Sequence, residues 1–256
     1  MTDVRPRTPS MRLDGKRAIV TGAGRGLGRA AATALAEAGA HVALAARSTD
    51  EIDALAEGLN SSGLSAEAVT LDVTDLGAVE AAFARHEPFH ILVNNAGTNR
   101  PKPMWDVGVD DYDLVMGLNV RSAYFVARAC ARKLIEERQA GSLIHMGSQM
   151  GHVGGQNRSL YCASKWAIEG MSKAFALDLA PYNIRSNVIA PTFVETPLTK
   201  PFLEDARFRE SVLRKIKLGR VGQPEDVMGA VVFLAGDASA LMTGSSMLID
   251  GGWTAD

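Results

Sequence analysis

Tyr161 and Lys165 stand four positions apart in SLYCASK (159–165), and Ser148 lies 13 positions before the tyrosine, after an apolar run. A phenol ordinarily titrates near about 10 and an ammonium near about 10.4, so neither alone moves protons well at neutral pH. On a helix, positions i and i+4 share a face, which lets both side chains point into one cleft. A fixed ammonium beside a phenol favours the phenolate and lowers its pKa. A tyrosine tuned in that way becomes a competent acid and base. Taken singly, each residue also has a plainer reading: Ser148 as a helix cap, Tyr161 as a packed aromatic, Lys165 as a solvated charge.

A second group of residues suits a nucleotide. TGAGRGLG carries Gly22, Gly26 and Gly28 between an apolar run and an alanine-rich stretch. Glycines there allow a sharp turn and close approach to a pyrophosphate, and a helix N-terminus adds N–H donors and positive partial charge. Where an acidic residue would bind ribose hydroxyls, the sequence has Ala46, Arg47 and Ser48. A 2′-phosphate is not repelled there. Arg47 can grip it through its planar fork, with Arg25 assisting, so NADP(H) is expected over NAD(H). The plainer reading of Arg47 is a solvated loop arginine. Asp72, in LDVTD, either accepts from an adenine amino group or caps the helix that starts near Asp75.

These groups need a scaffold that brings them together. Apolar β-type runs fall at 17–21, 41–45, 66–71, 90–94, 142–147, 184–190 and 246–250. Helical patterns lie between them at about 28–38, 50–60, 75–86, 110–138, 159–180 and 224–235, with an extra helical segment at 197–217. Such alternation predicts βαβ units, a parallel sheet covered on both faces, and right-handed crossovers. The 256 residues, 46% hydrophobic and 22% charged, suit one large α/β domain over 11–256 after a short disordered tail at 1–10. A net charge of -2 does not point to nucleic acid or an anionic membrane as partner. No signal-peptide core or membrane span is read from the sequence. Cys130 and Cys162 form no metal or disulfide pattern, so a reducing, cytoplasmic setting and no metal are expected.

TGAGRGLG, NNAG (94–97), Asn119, Ser148 and YCASK, in this order, resemble the short-chain dehydrogenase/reductase family across roughly residues 11–252. The resemblance implies a three-layer, doubly wound Rossmann fold with a seven-stranded parallel sheet of order 3-2-1-4-5-6-7. It implies a catalytic tetrad of Asn119, Ser148, Tyr161 and Lys165. Tyr161 would protonate a carbonyl oxygen as hydride arrives from the nicotinamide, and Ser148 would stabilise that oxygen. Lys165 would also hold ribose hydroxyls, and Asn119 a proton-relaying water. The implied cofactor contacts are Gly22, Arg25, Gly26, Leu27, Gly28, Arg47, Ser48, Asp72, Val73, Asn95, Ala96, Gly97, Tyr161, Lys165, Pro191, Val194 and Thr196. Where the family usually carries Pro-Gly, this chain has Pro191-Thr192.

Substrate is expected at loops past the strand ends. Arg100 and Arg158 could grip a carboxylate or a polyhydroxylated chain, or could simply be solvated. Gln149, His152 and Thr192 are further polar candidates; Met104, Trp105 and Met150 could wall the pocket or pack. The stretch NNAGTNRPKP is similar to that of sugar-acid reductases of the family, so a sugar, polyol or sugar acid is the expected substrate. The alternative is a 3-oxoacyl carrier-protein or CoA reductase, with Arg128, Arg132, Lys133 and Arg138 as a docking surface. A non-catalytic cofactor sensor is a third reading. The segment at 192–217 is expected to act as a lid that orders on substrate binding, and the family's usual assembly is a homotetramer.

Overall fold

The seven apolar runs become seven strands in the computed structural model, which describes residues 5–255. They are β1 (Arg17–Thr21), β2 (His41–Ala46), β3 (Ser65–Thr70), β4 (Ile91–Asn94), β5 (Gly141–Met146), β6 (Ile184–Pro191) and β7 (Ser246–Ile249). Each expected strand is found to within one residue at either end. All neighbours pair in parallel, in the order β3-β2-β1-β4-β5-β6-β7. Residues 5–10 are exposed and form no regular element; the rest of the expected tail lies outside the described residues.

Alternation along the strands divides the core into two layers. On one face Ala18, Val20, Val42, Leu44 and Val93 pack with α1 (Gly26–Glu37), α2 (Thr49–Ser61) and a late helix at Glu225–Ala235. On the other, Ile19, Ala43, Leu92 and Leu143 pack with α3 (Leu76–Arg85) and a helix at Ala123–Glu136. Small alanines on α1 allow close approach of helix to sheet.

The expected helix at 110–138 is not one helix. It consists of α4 (Val109–Met116), a π-type turn at Gly117–Ser122 and α5 (Ala123–Glu136). The wide turn is held in part by the Ser122 hydroxyl, which donates to the Gly117 carbonyl at 2.9 Å. Such turns insert a residue and re-aim the side chains that follow. Next come α6 (Ser159–Leu179), α7 (Lys200–Leu203), α8 (Ala206–Leu213) and α9 (Glu225–Ala235). The segment at 192–217 therefore carries two short helices, with Leu203, Val212 and Ile216 buried. No helix among the described residues is long and apolar enough to cross a membrane.

Because every strand is parallel, their C-terminal ends share one edge. The strand order reverses between β1 and β4, and open α/β sheets bind ligands in the crevice there.

Candidate active site

A cavity of about 300 Å³ opens at that edge, lined from Gly22 and Arg25 at one end to Ser148, Tyr161 and Lys165 at the other. A smaller one of about 70 Å³ adjoins it and shares Ser148, Tyr161, Thr192, Leu198 and Thr199.

The glycine turn is shaped by its own backbone. Gly22 and Gly26 have φ of +66° and +55°, a region that side-chain-bearing residues rarely adopt. Gly28 does not line the cavity, contrary to its expected cofactor contact. A side chain there would collide with the Gly22 carbonyl and the Asn95 amide, so Gly28 lets α1 pack against the turn. Asn95 locks the same turn: its Nδ2 donates to the Thr21 and Gly22 carbonyls at 2.9 and 3.3 Å. Its main-chain N–H donates to the Thr21 hydroxyl at 2.9 Å.

Arg47, Ser48, Asp72 and Val73 line the far end of the larger cavity. Arg47 is exposed, with Nη1 3.9 Å from Asp72 Oδ2. The choice left open for Asp72 is narrowed: Asp75 caps α3 by accepting from the Ala78 N–H. Asp72 instead accepts from the Thr74 N–H and hydroxyl, which hold its carboxyl below the ordinary value. Sequence reading missed Glu51, which also lines this end. In the first turn of α2 it reads as an acid favouring the helix dipole.

At the other end, Tyr161 and Lys165 come from successive turns of α6 and Ser148 from the loop after β5. Lys165 is buried, and its Nζ donates to the Met146 carbonyl at 2.7 Å. Burial lowers its pKa to about 8, against the pull of Glu169. Nζ sits 5.5 Å from the Tyr161 ring centroid. Burial pushes the phenol up; hydrogen bonding by Ser148 and the charge of Arg158 pull it down. Arg158 therefore adds a second cation beside the phenol, next to the expected Lys165, whose ammonium lies near the Tyr161 ring and donates to β5. The Ser148 hydroxyl donates to Gln149 Oε1 at 2.7 Å.

Asn119 is buried in the π-type turn but lines neither cavity. Its Oδ1 accepts from the Thr98 N–H at 2.8 Å, and its Nδ2 donates to the Thr98 carbonyl and to Ser164 Oγ at 2.9 and 3.0 Å. It ties the β4 loop to α6, and Thr98 lines the larger cavity.

The substrate candidates divide. Arg158, Gln149 and Thr192 line the smaller cavity, and so does Met150. Arg100 does not: it is exposed and outside both cavities. Nor does His152, whose Nε2 lies 3.2 Å from Glu169 Oε1 and 3.0 Å from Ser246 Oγ, fastening the loop to α6 and β7. Met104 and Trp105 are exposed, Trp105 at 80%, and wall nothing. Asn99, Phe193 and Phe202 line the smaller cavity and were not foreseen. A polar residue two positions after NNAG was the only available signal for Asn99. Leu27, Ala96, Gly97, Pro191, Val194 and Thr196 all line the larger cavity.

A sequence profile described as Enoyl-(Acyl carrier protein) reductase matches residues 22–254. L-xylulose reductase of Bos taurus is 36% identical over 96% of this chain and 99% of its own. The 3-oxoacyl-[acyl-carrier-protein] reductase FabG of Thermotoga maritima is 37% identical, over 94% and 99%. The chain belongs to the short-chain dehydrogenase/reductase family. It is an oxidoreductase that acts on CH–OH groups with a nicotinamide cofactor, NAD(P). A gluconate 5-dehydrogenase structure from Burkholderia cenocepacia, in complex with NADP and tartrate, superposes with a TM-score of 0.93 at 35% identity, covering 96% of this chain and 98% of that one. This member of the family keeps the features a dinucleotide needs: a glycine turn closed to side chains, Asp72 free of a capping role, and a long cavity ending at a tyrosine.

Proposed function

We propose that the protein interconverts a carbonyl and a secondary alcohol of a sugar, polyol or sugar acid, with NADP(H) preferred over NAD(H). The observation that carries this is that Ser148 and Tyr161 stand where the larger cavity joins the smaller one, with Lys165 beside them in the larger. The bound dinucleotide supplies or accepts the hydride. Gly22, Arg25, Gly26, Asp72, Asn95 and Thr196 would hold it, among others lining the larger cavity. Tyr161 gives its proton to the substrate oxygen in reduction and takes it back in oxidation. Ser148 turns its hydroxyl from Gln149 to that oxygen and stabilises the growing charge. Lys165 and Arg158 keep the site electropositive, and Asn119 positions the Thr98 main chain beside it.

Arg47 at the open end supports NADP(H), while Glu51 on the same wall weakens that preference. The names of the relatives support sugar chemistry: L-xylulose reductase, and a gluconate 5-dehydrogenase holding tartrate. The thioester reading is supported by the FabG relative but weakened at its expected docking surface of Arg128, Arg132, Lys133 and Arg138, three of which are paired. Arg128, Arg132 and Lys133 are paired with Glu80, Glu136 and Glu137 at 2.8, 2.8 and 2.9 Å. The two free cysteines fit a cytoplasmic setting. Exposed Trp166 and Leu177 on α6, Tyr124 on α5 and Leu248 on β7 support a homotetramer, which light scattering tests.

The deciding experiment follows NADPH and NADH oxidation and NADP⁺ and NAD⁺ reduction with a panel of keto sugars, polyols, sugar acids and acetoacetyl thioesters. Turnover of sugar-type compounds that Tyr161→Phe abolishes, with dinucleotide binding kept, supports the reading. Turnover of the thioesters alone, or none beyond dinucleotide binding, overturns it.

A further inference from the structure

The smaller cavity contains a positive charge with no counter-charge. Arg158 is only 9% exposed. Its guanidinium lies 5.4 Å from the Phe193 ring centroid and 5.9 Å from those of Phe202 and Phe208. Among the described residues no carboxylate pairs with it, and no acceptor takes a hydrogen bond from it. Burying a charge is costly unless it is paired and hydrogen-bonded. Aromatic faces offset part of that cost, but they leave the in-plane N–H donors of a guanidinium unspent.

Two further polar atoms of this wall have no partner. Asn99 Oδ1 and Thr192 Oγ1 are buried without a hydrogen bond, and both residues line the cavity with Arg158. Nearly every buried polar group in a folded protein is satisfied. Neither atom opens onto the chamber of about 70 Å³ beside Tyr161 and Ser148, so the Arg158 guanidinium is the unspent group that a small ligand there meets. Such a ligand carries an anion with two acceptors and little bulk.

We propose that the smaller cavity selects a small hydroxy-carboxylate, with the carboxylate on the Arg158 guanidinium and the reacting carbon at Tyr161 and Ser148. This rests on the oxidoreductase reading above and narrows its substrate class to sugar acids and similar hydroxy acids. The planar fork of arginine matches a carboxylate through two parallel N–H···O bonds. A neutral polyol leaves the guanidinium buried and unpaired, and a site built for a polar group rejects the ligand that lacks it. Arg100 has no part in this, since it lies outside the cavity.

The test compares gluconate with gluconamide and glucitol as alcohol substrates, using wild type and Arg158→Met. In wild type, kcat/KM for gluconate exceeds that of the two neutral compounds by about 100-fold, the order expected of a bidentate charged contact. Arg158→Met removes that advantage: the three compounds then react alike, at whatever common rate the loss of its charge beside Tyr161 leaves. Equal use of gluconate and gluconamide by wild type overturns the proposal. So does an Arg158→Met variant in which gluconate keeps its advantage over the neutral compounds, since Arg158 would then only brace the 192–217 segment. A binding arm is independent of turnover: calorimetry of tartrate with the NADP⁺-loaded protein. Tartrate binding that Arg158→Met weakens about 100-fold supports the proposal; binding that it leaves intact sinks it. Absence of any turnover in wild type counts against the oxidoreductase reading, and the tartrate titration then judges the anion site by itself.

Discussion

Lys165 Nζ donates to the main-chain carbonyl of Met146 at 2.7 Å, so the last residue of β5 holds the ammonium of α6 inside the sheet edge. That bond fixes where the charge sits. It also keeps a cation in a place where burial penalises it, which is why its pKa falls to about 8.

This gives a pH signature. A lysine whose folded pKa lies below its unfolded value contributes a penalty while charged, and stability recovers as pH rises from the folded to the unfolded value. The window here runs from about 8 to the ordinary 10.5. Cys130, pushed up to about 12 by burial, acts in the opposite sense above its ordinary 9.0. The expected result therefore concerns a difference: the unfolding free energy of wild type minus that of Lys165→Met rises with pH across this window. Urea unfolding of both proteins at several pH values measures it, and a flat difference contradicts the burial of the ammonium.

Removing the phenolic hydroxyl should stop proton transfer without unmaking the cavity. Tyr161→Phe is expected to lower kcat by about 10³-fold, within the range of a positioned general acid. Dinucleotide affinity should change little, because the ring remains. Steady-state kinetics with fluorescence titration of NADPH separates the two quantities.

Cofactor preference should turn on two residues of opposite charge. Arg47→Ala is expected to raise KM for NADPH by about tenfold, the order of one charge-assisted hydrogen bond, with KM for NADH unchanged. Glu51→Gln should move NADPH the other way, since it removes a carboxylate from the same wall. Unequal effects on NADH would place the 2′-phosphate elsewhere.

Asn119 should matter for stability and turnover together. Asn119→Ala deletes three hydrogen bonds and leaves the Thr98 N–H and carbonyl without partners. Thr98 is half-buried at the cavity wall, where water replaces part of what is lost, so a loss of about 1–2 kcal/mol is expected. The urea midpoint reports it. kcat should also fall, because Thr98 lines the cavity.

Much of this molecule was legible in its sequence because strand and helix leave local marks. Apolar runs set off by Gly22, by the Ala46-Arg47-Ser48 turn or by Pro191 are strands under any packing, and the seven found lie where the periodicity puts them. The glycine turn and the spacing of Tyr161 and Lys165 are likewise local, since a backbone turn and a helical face need no distant partner. What the sequence could not determine involves residues far apart in the chain. The π-type turn at Gly117–Ser122 has no compositional mark, yet it directs Asn119 to Thr98 and Ser164. Arg100 and Arg158 look equivalent as text; only the packing of Phe193, Phe202 and Phe208 over one of them makes it a buried cation. His152 reads as a pocket residue until Glu169 and Ser246 take its ring nitrogen. Backbone preference acts over a few residues, whereas desolvation and pairing depend on which side chains the sheet and its crossovers bring to one point. Tertiary structure alone therefore decided that Arg158 is a buried cation beside Tyr161 and which groups remain unsatisfied near it.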